Sequence, residues 1–449
     1  MESGLAGRNG GRIGLAVLAA ILALGLGLRV AEAWDGRAPV YDATAYAAIA
    51  ANLEQGEGFT VGAGATQPSS NYSPGLPLLV AGLHELTGGA HERFARLVLA
   101  LIGTLAIPPT YLLARRLRRL MPFDASGEDN ASAGVISGLV AAAAVAIYPA
   151  LVEYQGMLMT EPLSATLLST SILAIFWAAD REGRVAWLLP GVLLGATAMV
   201  RPEYLGVGLL LALVVFARRA RGEWRLGLEQ AAVLLAGLAL VVAPWTLRNV
   251  VALDRAVPIS TGGGQVLFAG TYLPSDGNPE EVGAEVVARH PGLFRPGEAE
   301  RLRLEQILAR LAASRYPELE TDQALARMGR EQLWDNVSEE PLEYSGFVAA
   351  KVWRIWSQGP RAVMHEPGWQ LLHCALVAFG LLGLTILAWR RRWEALVLGT
   401  VLVAITALSA LLVASPRRLL VMLPLLAALA GAGACLLAQR PGHIDRFQD

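Results

Sequence analysis

The sequence predicts an all-α, polytopic membrane protein, on three observations. Of the 449 residues, 54% are hydrophobic and 17% charged, against roughly 25% charged in soluble domains. The apolar residues gather into runs of about 17–25, the length that crosses a bilayer. Positive charge is almost all arginine, Lys351 being the single lysine, and the arginines cluster between alternate runs. A soluble chain of this length would divide into two or three domains. The formal net charge of −1 gives no reason to expect a nucleic-acid partner. Cys374 and Cys435 lie inside apolar runs and read as small buried hydrophobes rather than a disulfide framework.

Arg8 and Arg12 precede a first span over Ile13–Ala33, too long for a signal-peptide core, and place the amino terminus in the cytoplasm by the positive-inside rule. The second span, about Phe94–Ala114, ends in Arg115, Arg116, Arg118 and Arg119, again cytoplasmic. The loop 34–93 is therefore outside. It holds V-Y-D-A-T-A-Y-A-A-I-A-A-N-L-E-Q-G-E-G-F from Val40, with Tyr46, Ile49, Ala50 and Leu53 at helical spacing, then a re-entry punctuated by Pro74 and Pro77. Leu76–Leu86 is apolar but too short to span and reads as an interfacial helix.

Further spans are expected over Ala133–Leu151, from Glu161 to Asp180, over Val185–Val200, from there to the Arg218–Arg225 basic stretch, and over Leu228–Leu247. Residues 249–369 contain no run long enough to cross and form an outer segment, with a helix expected over Glu298–Ala313. The last spans are Gln370–Trp389, a ninth reaching Ser415, and Leu419–Ala438. This gives ten spans, or eleven to twelve if a short apolar piece enters the bilayer. The chain divides into a module 1–248, the outer segment 249–369 and terminal spans 370–449.

The outer span ends collect Asp42, Glu153, Glu161, Arg201, Glu203, Arg248, Arg417 and Arg418. Ionisable groups at membrane depth are costly and mark a site or pathway by default. Asp42 could serve as a general base or as the N-cap of a helix. Glu161, between Thr160 and Pro162, carries both a capping and a functional reading. Arg201 and Arg417 either snorkel to headgroups or bind a phosphate. Lys351 and Arg354 share that choice, and their neighbours Trp353 and Trp356 suit an interfacial belt. The G-G-G at Gly262–Gly264 lacks the lysine and Ser/Thr of a phosphate loop. The six histidines show no metal-ligand spacing, so neither metal nor cofactor is expected. Asn336-Val-Ser338 matches a glycosylation acceptor pattern of low specificity.

Seven motifs occur in series: Y-D-A-T-A-Y-A-A-I-A-A-N-L-E-Q-G-E-G-F, S-P-G-L-P-L-L, M-T-E-P-L-S, G-V-L-L-G-A-T-A-M-V-R-P-E, P-W-T-L-R-N-V-V-A-L-D-R-A-V-P-I-S-T-G-G-G, K-V-W-R-I-W and S-P-R-R-L-L-V-M-L-P. In this order, over nearly the whole chain, they resemble the polytopic GT-C glycosyltransferases, in the branch similar to protein O-mannosyltransferases and aminoarabinose transferase. The resemblance implies a GT-C fold with amphipathic juxtamembrane helices in the first outer loop. It implies a polyprenyl-phosphate-sugar donor, an acceptor (lipid, glycan or protein) outside the cytoplasmic membrane, and inverting transfer. It puts Asp42 in the place of the first-loop catalytic aspartate and Glu161 in that of the second outer acid. Arg201, Arg417, Lys351 and Tyr46 complete the expected donor-binding set. Many relatives carry Asp-Glu in the first loop; here Ala43 follows Asp42, which argues against paired acids at that point. A transporter or flippase of lipid-linked sugars is the rival reading, disfavoured by the lack of inverted repeats.

Overall fold

The computed structural model describes residues 2–36, 42–62, 65, 67–89, 91–121, 127–181, 183–275, 278, 281–295 and 297–437. Val40 and Tyr41 of the first-loop motif lie outside them, as does the side chain of Cys435. Among the described residues the secondary structure is helical, and no strand is formed beyond one isolated bridge between Thr60 and Pro68. The first half carries α1 (Glu2–Asp35), α2 (Asp42–Glu54), α3 (Gly75–Thr87), α4 (Glu92–Thr104), α5 (Ile107–Arg119), α6 (Gly127–Ile147), α7 (Pro149–Glu153), α8 (Thr160–Ala179), α9 (Leu188–Val200), α10 (Glu203–Arg219) and α11 (Trp224–Leu253). The second half carries α12 (Gly263–Thr271), α13 (Val282–Arg289), α14 (Leu304–Arg315), α15 (Thr321–Glu339), α16 (Pro341–Ser357), α17 (Pro367–Trp389), α18 (Trp393–Leu411) and α19 (Arg417–Leu437).

Among the described residues, seven helical stretches are long and apolar enough to cross a membrane: Arg12–Asp35, Glu92–Arg119, Thr160–Ala179, Trp224–Leu253, Pro367–Trp389, Trp393–Leu411 and Arg417–Ala434. An eighth is the pair Ala131–Ile147 and Pro149–Gly156, bent by 53°. The expected fifth and sixth spans are α9 and α10, of 13 and 17 residues. They are short for a bilayer, yet both pack against α11 within the bundle. The multi-pass architecture therefore stands, with two of the ten expected segments shorter than a full crossing. Gly191 and Gly237 let α9 and α11 meet backbone to backbone: a side chain at Gly191 would run into the Leu234 carbonyl. Small residues are what close helix contacts in lipid require.

The bend between α6 and α7 has a local cause. Pro149 has no N–H, so the Val145 carbonyl four residues earlier loses its helical donor. Arg29, buried in α1, supplies it: Nη2 donates to Val145 O at 2.8 Å and Nη1 to Ala146 O at 2.9 Å and Gly25 O at 3.0 Å. A charged residue near the end of the first span thus replaces what the proline removed.

Two helices form the centre of the bundle. α8 packs against α4, α5, α9 and α19, and α19 against α5, α6, α8 and α17. Nearly every residue of both is buried, and their first residues lie at one end of the bundle, where the charged residues below meet. The segment between α11 and α17, expected to lie outside, has a second core, with Phe268, Val282, Val286, Leu308, Leu311, Leu325 and Met328 from α12 to α15. Its expected start at residue 249 falls inside α11, which continues to Leu253. The helix expected over Glu298–Ala313 is α14, beginning at Leu304 and burying Ile307, Leu308 and Leu311. Cys374 departs from expectation: it is exposed on α17 rather than buried.

Candidate active site

Asp42, Glu161 and Glu203 each sit in the first turn of a helix, α2, α8 and α10, and Arg417 is the first residue of α19. Acids are favoured at the positive end of a helix dipole, whereas an arginine there is disfavoured unless acids offset it. Glu161 Oε1 accepts from Arg417 Nε at 2.7 Å and from Arg201 Nη1 at 3.4 Å. Asp42 Oδ2 accepts from Arg417 Nη1 at 3.3 Å. Arg201 also reaches Glu203 Oε1 at 2.8 Å and Thr160 Oγ1 at 3.4 Å. Four helix N-termini that are far apart in sequence are thus joined by one chain of charges.

The members differ in exposure. Glu161 is 0% exposed, and its second oxygen, Oε2, has no hydrogen-bond partner among the described residues. Arg417 is 30% exposed and Asp42 42%. The buried acid therefore holds the arginines, and Asp42 faces open space. Tyr46, one turn after Asp42, is buried with its ring edge-on to Tyr72 at 5.6 Å. Burial, then the Asp42 and Glu161 carboxylates, push its hydroxyl well above the ordinary tyrosine value, so it stays protonated. Among the described residues no three His, Cys, Asp or Glu side chains group to hold a metal ion.

Of the candidates, Asp42, Glu161, Arg201 and Arg417 come together with Tyr46 beside them. Lys351 does not join them. Its ammonium is fully buried and donates to Gly270 O and Ala410 O, both at 2.7 Å, with the Phe347 ring 5.0 Å away. It ties α16 to α12 and α18. Arg418 turns from the acids to Ser409 Oγ and Val413 O. Arg248 holds the first loop: it donates to Phe59 O at 3.2 Å and Ser69 O at 2.8 Å and lies over the Phe59 and Trp245 rings. The P-W-T-L-R-N motif is largely a loop tether, since Trp245, Thr246 and Asn249 bond carbonyls of residues 257–259. Thr261 in turn binds Ser70 and Asn71. The G-G-G that follows opens α12, whose first amides are capped by Asp322 Oδ1.

Sequence reasoning missed Tyr154 and Arg361. The Tyr154 ring lies 5.7 Å from the Arg417 guanidinium and 5.9 Å from that of Arg361. Arg361 pairs with Glu153 at 2.7 Å from a backbone φ of 86°, a conformation costly for a non-glycine residue. No motif marks Arg361; the signal available was its charge beside the return to the membrane.

No family model matches the sequence, and no curated protein matches it. Solved structures are similar in fold. The oligosaccharyltransferase AglB from Archaeoglobus fulgidus, in complex with an inhibitory peptide and a dolichol-phosphate, superposes with a TM-score of 0.55 at 17% identity, over 94% of this chain and 50% of that one. An Archaeoglobus fulgidus oligosaccharyltransferase tethered with an acceptor peptide containing the NVT sequon gives 0.54 at 15% identity, over 94% and 49%. ArnT from Cupriavidus metallidurans bound to undecaprenyl phosphate gives 0.42 at 16% identity, over 93% and 77%. The chain spans about half the length of the oligosaccharyltransferase it matches. At these identities the likeness is one of fold: the chain has the GT-C architecture of polytopic membrane glycosyltransferases.

Proposed function

We propose that this protein transfers a sugar from a polyprenyl-phosphate-linked donor to an acceptor on the extracytoplasmic face of the cytoplasmic membrane. The observation that carries the reading is that half-exposed Asp42 and buried Glu161 share Arg417 where four helices begin. In the reaction, the acceptor hydroxyl gives its proton to the Asp42 carboxylate as its oxygen attacks the anomeric carbon. The bond from that carbon to the phosphate oxygen breaks, and the lipid phosphate leaves with the electron pair. A single displacement of this kind inverts the anomeric centre. Arg417, Arg201 and the helix N-termini supply positive potential for the growing phosphate charge. Glu161 acts through the arginines by fixing their geometry.

The test uses membranes holding wild-type protein or Asp42→Asn at matched levels, given a panel of labelled polyprenyl-phosphate sugars. Label should leave the lipid in wild type and stay on it in Asp42→Asn, with donor binding kept. A base contributes about 10²–10⁴-fold, so equal turnover would remove Asp42 from the chemistry. Movement of donor across the bilayer without cleavage would favour transport instead.

A further inference from the structure

The helix α16 is apolar on two opposite faces. One face, Tyr344, Phe347, Lys351 and Ile355, is buried against the protein. The other, Leu342, Gly346, Ala349 and Trp353, is exposed, Leu342 at 86% and Trp353 at 72%. Glu343 and Arg354 lie between the two faces, so the exposed strip is an apolar stripe on a helix with charged flanks. An exposed apolar strip of this kind marks an interaction surface.

The height of α16 relative to the bundle says what covers that strip. Lys351 bonds the carbonyl of Ala410, one residue before the outer end of span α18. Gln370 and His373, in the first two turns of span α17, bond the Ser357 and Trp356 carbonyls at the carboxyl-terminal end of α16. The carboxyl-terminal half of the helix, from Lys351 on, thus meets the outer ends of two membrane spans, at the depth where the bilayer surface must be. The first turn of α17 also exposes Leu371 at 71%, an apolar surface that already belongs to a span. Glu343 is the one acid within α16, and the exposed strip itself carries no charge. Tryptophan is the side chain most at home at the headgroup level.

We propose that α16 is an interfacial helix, its Leu342–Gly346–Ala349–Trp353 strip lying in the headgroup and upper acyl region of the outer leaflet. The partner is lipid, and the helix clamps the outer segment to the membrane plane. This rests on the span positions and not on the proposed reaction.

The test takes the full chain with Cys374 and Cys435 replaced by alanine, in nanodiscs of phosphatidylethanolamine and phosphatidylglycerol. Single nitroxides are placed through Leu342→Cys, Gly346→Cys, Ala349→Cys and Trp353→Cys, with Glu343→Cys as an off-strip control. Collision rates with oxygen and with a water-soluble nickel chelate are measured. The oxygen-to-chelate ratio should be several-fold higher on the strip than at the control. Chelate-dominated collisions at Ala349→Cys and Trp353→Cys would place the strip in water and overturn the proposal. Immobile labels with spin–spin broadening would overturn it in favour of a second copy of the chain. Gly346→Cys and Ala349→Cys add little volume on an exposed face, so they report even if Trp353→Cys fails to fold.

Discussion

Replacing Arg417 by methionine should expose how the buried acid is held. Glu161 is fully buried, accepts its shortest bond from Arg417 at 2.7 Å, and has one oxygen already without a partner among the described residues. Without Arg417 its remaining side-chain partner among the described residues is Arg201, at 3.4 Å. Removing one partner of a buried ion pair typically costs about 3–5 kcal/mol, because the other charge is stranded. Glu161→Gln alone leaves Arg417 with Asp42 and Arg201 with Glu203, and should cost less, about 1–3 kcal/mol. The double variant Glu161→Gln/Arg417→Met removes both charges and should be more stable than Arg417→Met alone. The assay is SDS titration in mixed micelles followed by tryptophan fluorescence, with the four proteins forming a cycle. Independent sites add within about 0.5 kcal/mol. A cycle that is additive to that limit would refute the claim that Glu161 depends on Arg417.

Three further outcomes are expected. Arg248→Ala should lose three hydrogen bonds, to Ser69 O, Phe59 O and Asn249 Oδ1, and its stacking on Phe59 and Trp245, about 2–4 kcal/mol in sum for a partly exposed guanidinium; proteolysis should cut residues 59–69 faster than in wild type, and unchanged cutting would argue against the tether. Gly270→Ala would set a methyl group against the Leu412 backbone, costing about 1–3 kcal/mol and loosening α12 from α18 in hydrogen exchange; unchanged exchange would show that the contact yields freely. Burial, then Arg418 and Arg354, push the Lys351 ammonium down from 10.5 to about 7. Between those values the undocked lysine binds a proton that the docked one does not, so docking of α16 should strengthen as pH rises through the window and be weakest below it. Protease protection of α16 should follow that slope in wild type and be flat in Lys351→Met; equal slopes would assign the pH response elsewhere.

The spans were legible because a bilayer demands about twenty apolar residues in a row, a signal that needs no neighbours to read. The meeting of Asp42, Glu161, Arg201 and Arg417 was half legible. Alternating topology puts all four on one side, but only packing brings α19 against α8. The parts that escaped are those whose partners are main-chain atoms. Arg248 and Lys351 look like site charges in the sequence, and each spends hydrogen bonds on backbone carbonyls of a distant loop or helix. A carbonyl is present at every residue, so no residue type announces it. Arg361 and Tyr154 escaped for a related reason: a ring beneath two guanidiniums has no spacing rule. The break between α9 and α10 was legible, because Arg201 and Pro202 interrupt the apolar run where the structure ends one helix and begins the next.

The arginine in α1 that replaces the donor missing at Pro149 has a consequence for how the protein is made. Each half of that arrangement is costly in hydrocarbon alone: one carries a cation, the other the Val145 carbonyl without its helical donor. Their partners are 117 residues apart. At about 5–20 residues per second, synthesis of that interval takes about 6–23 s. For that time the nascent first segment needs shelter, at the translocon or with an insertase, and cannot partition freely into lipid. A ribosome stalled within the interval should therefore leave the first segment crosslinkable to the insertion machinery, and one stalled well beyond it should not.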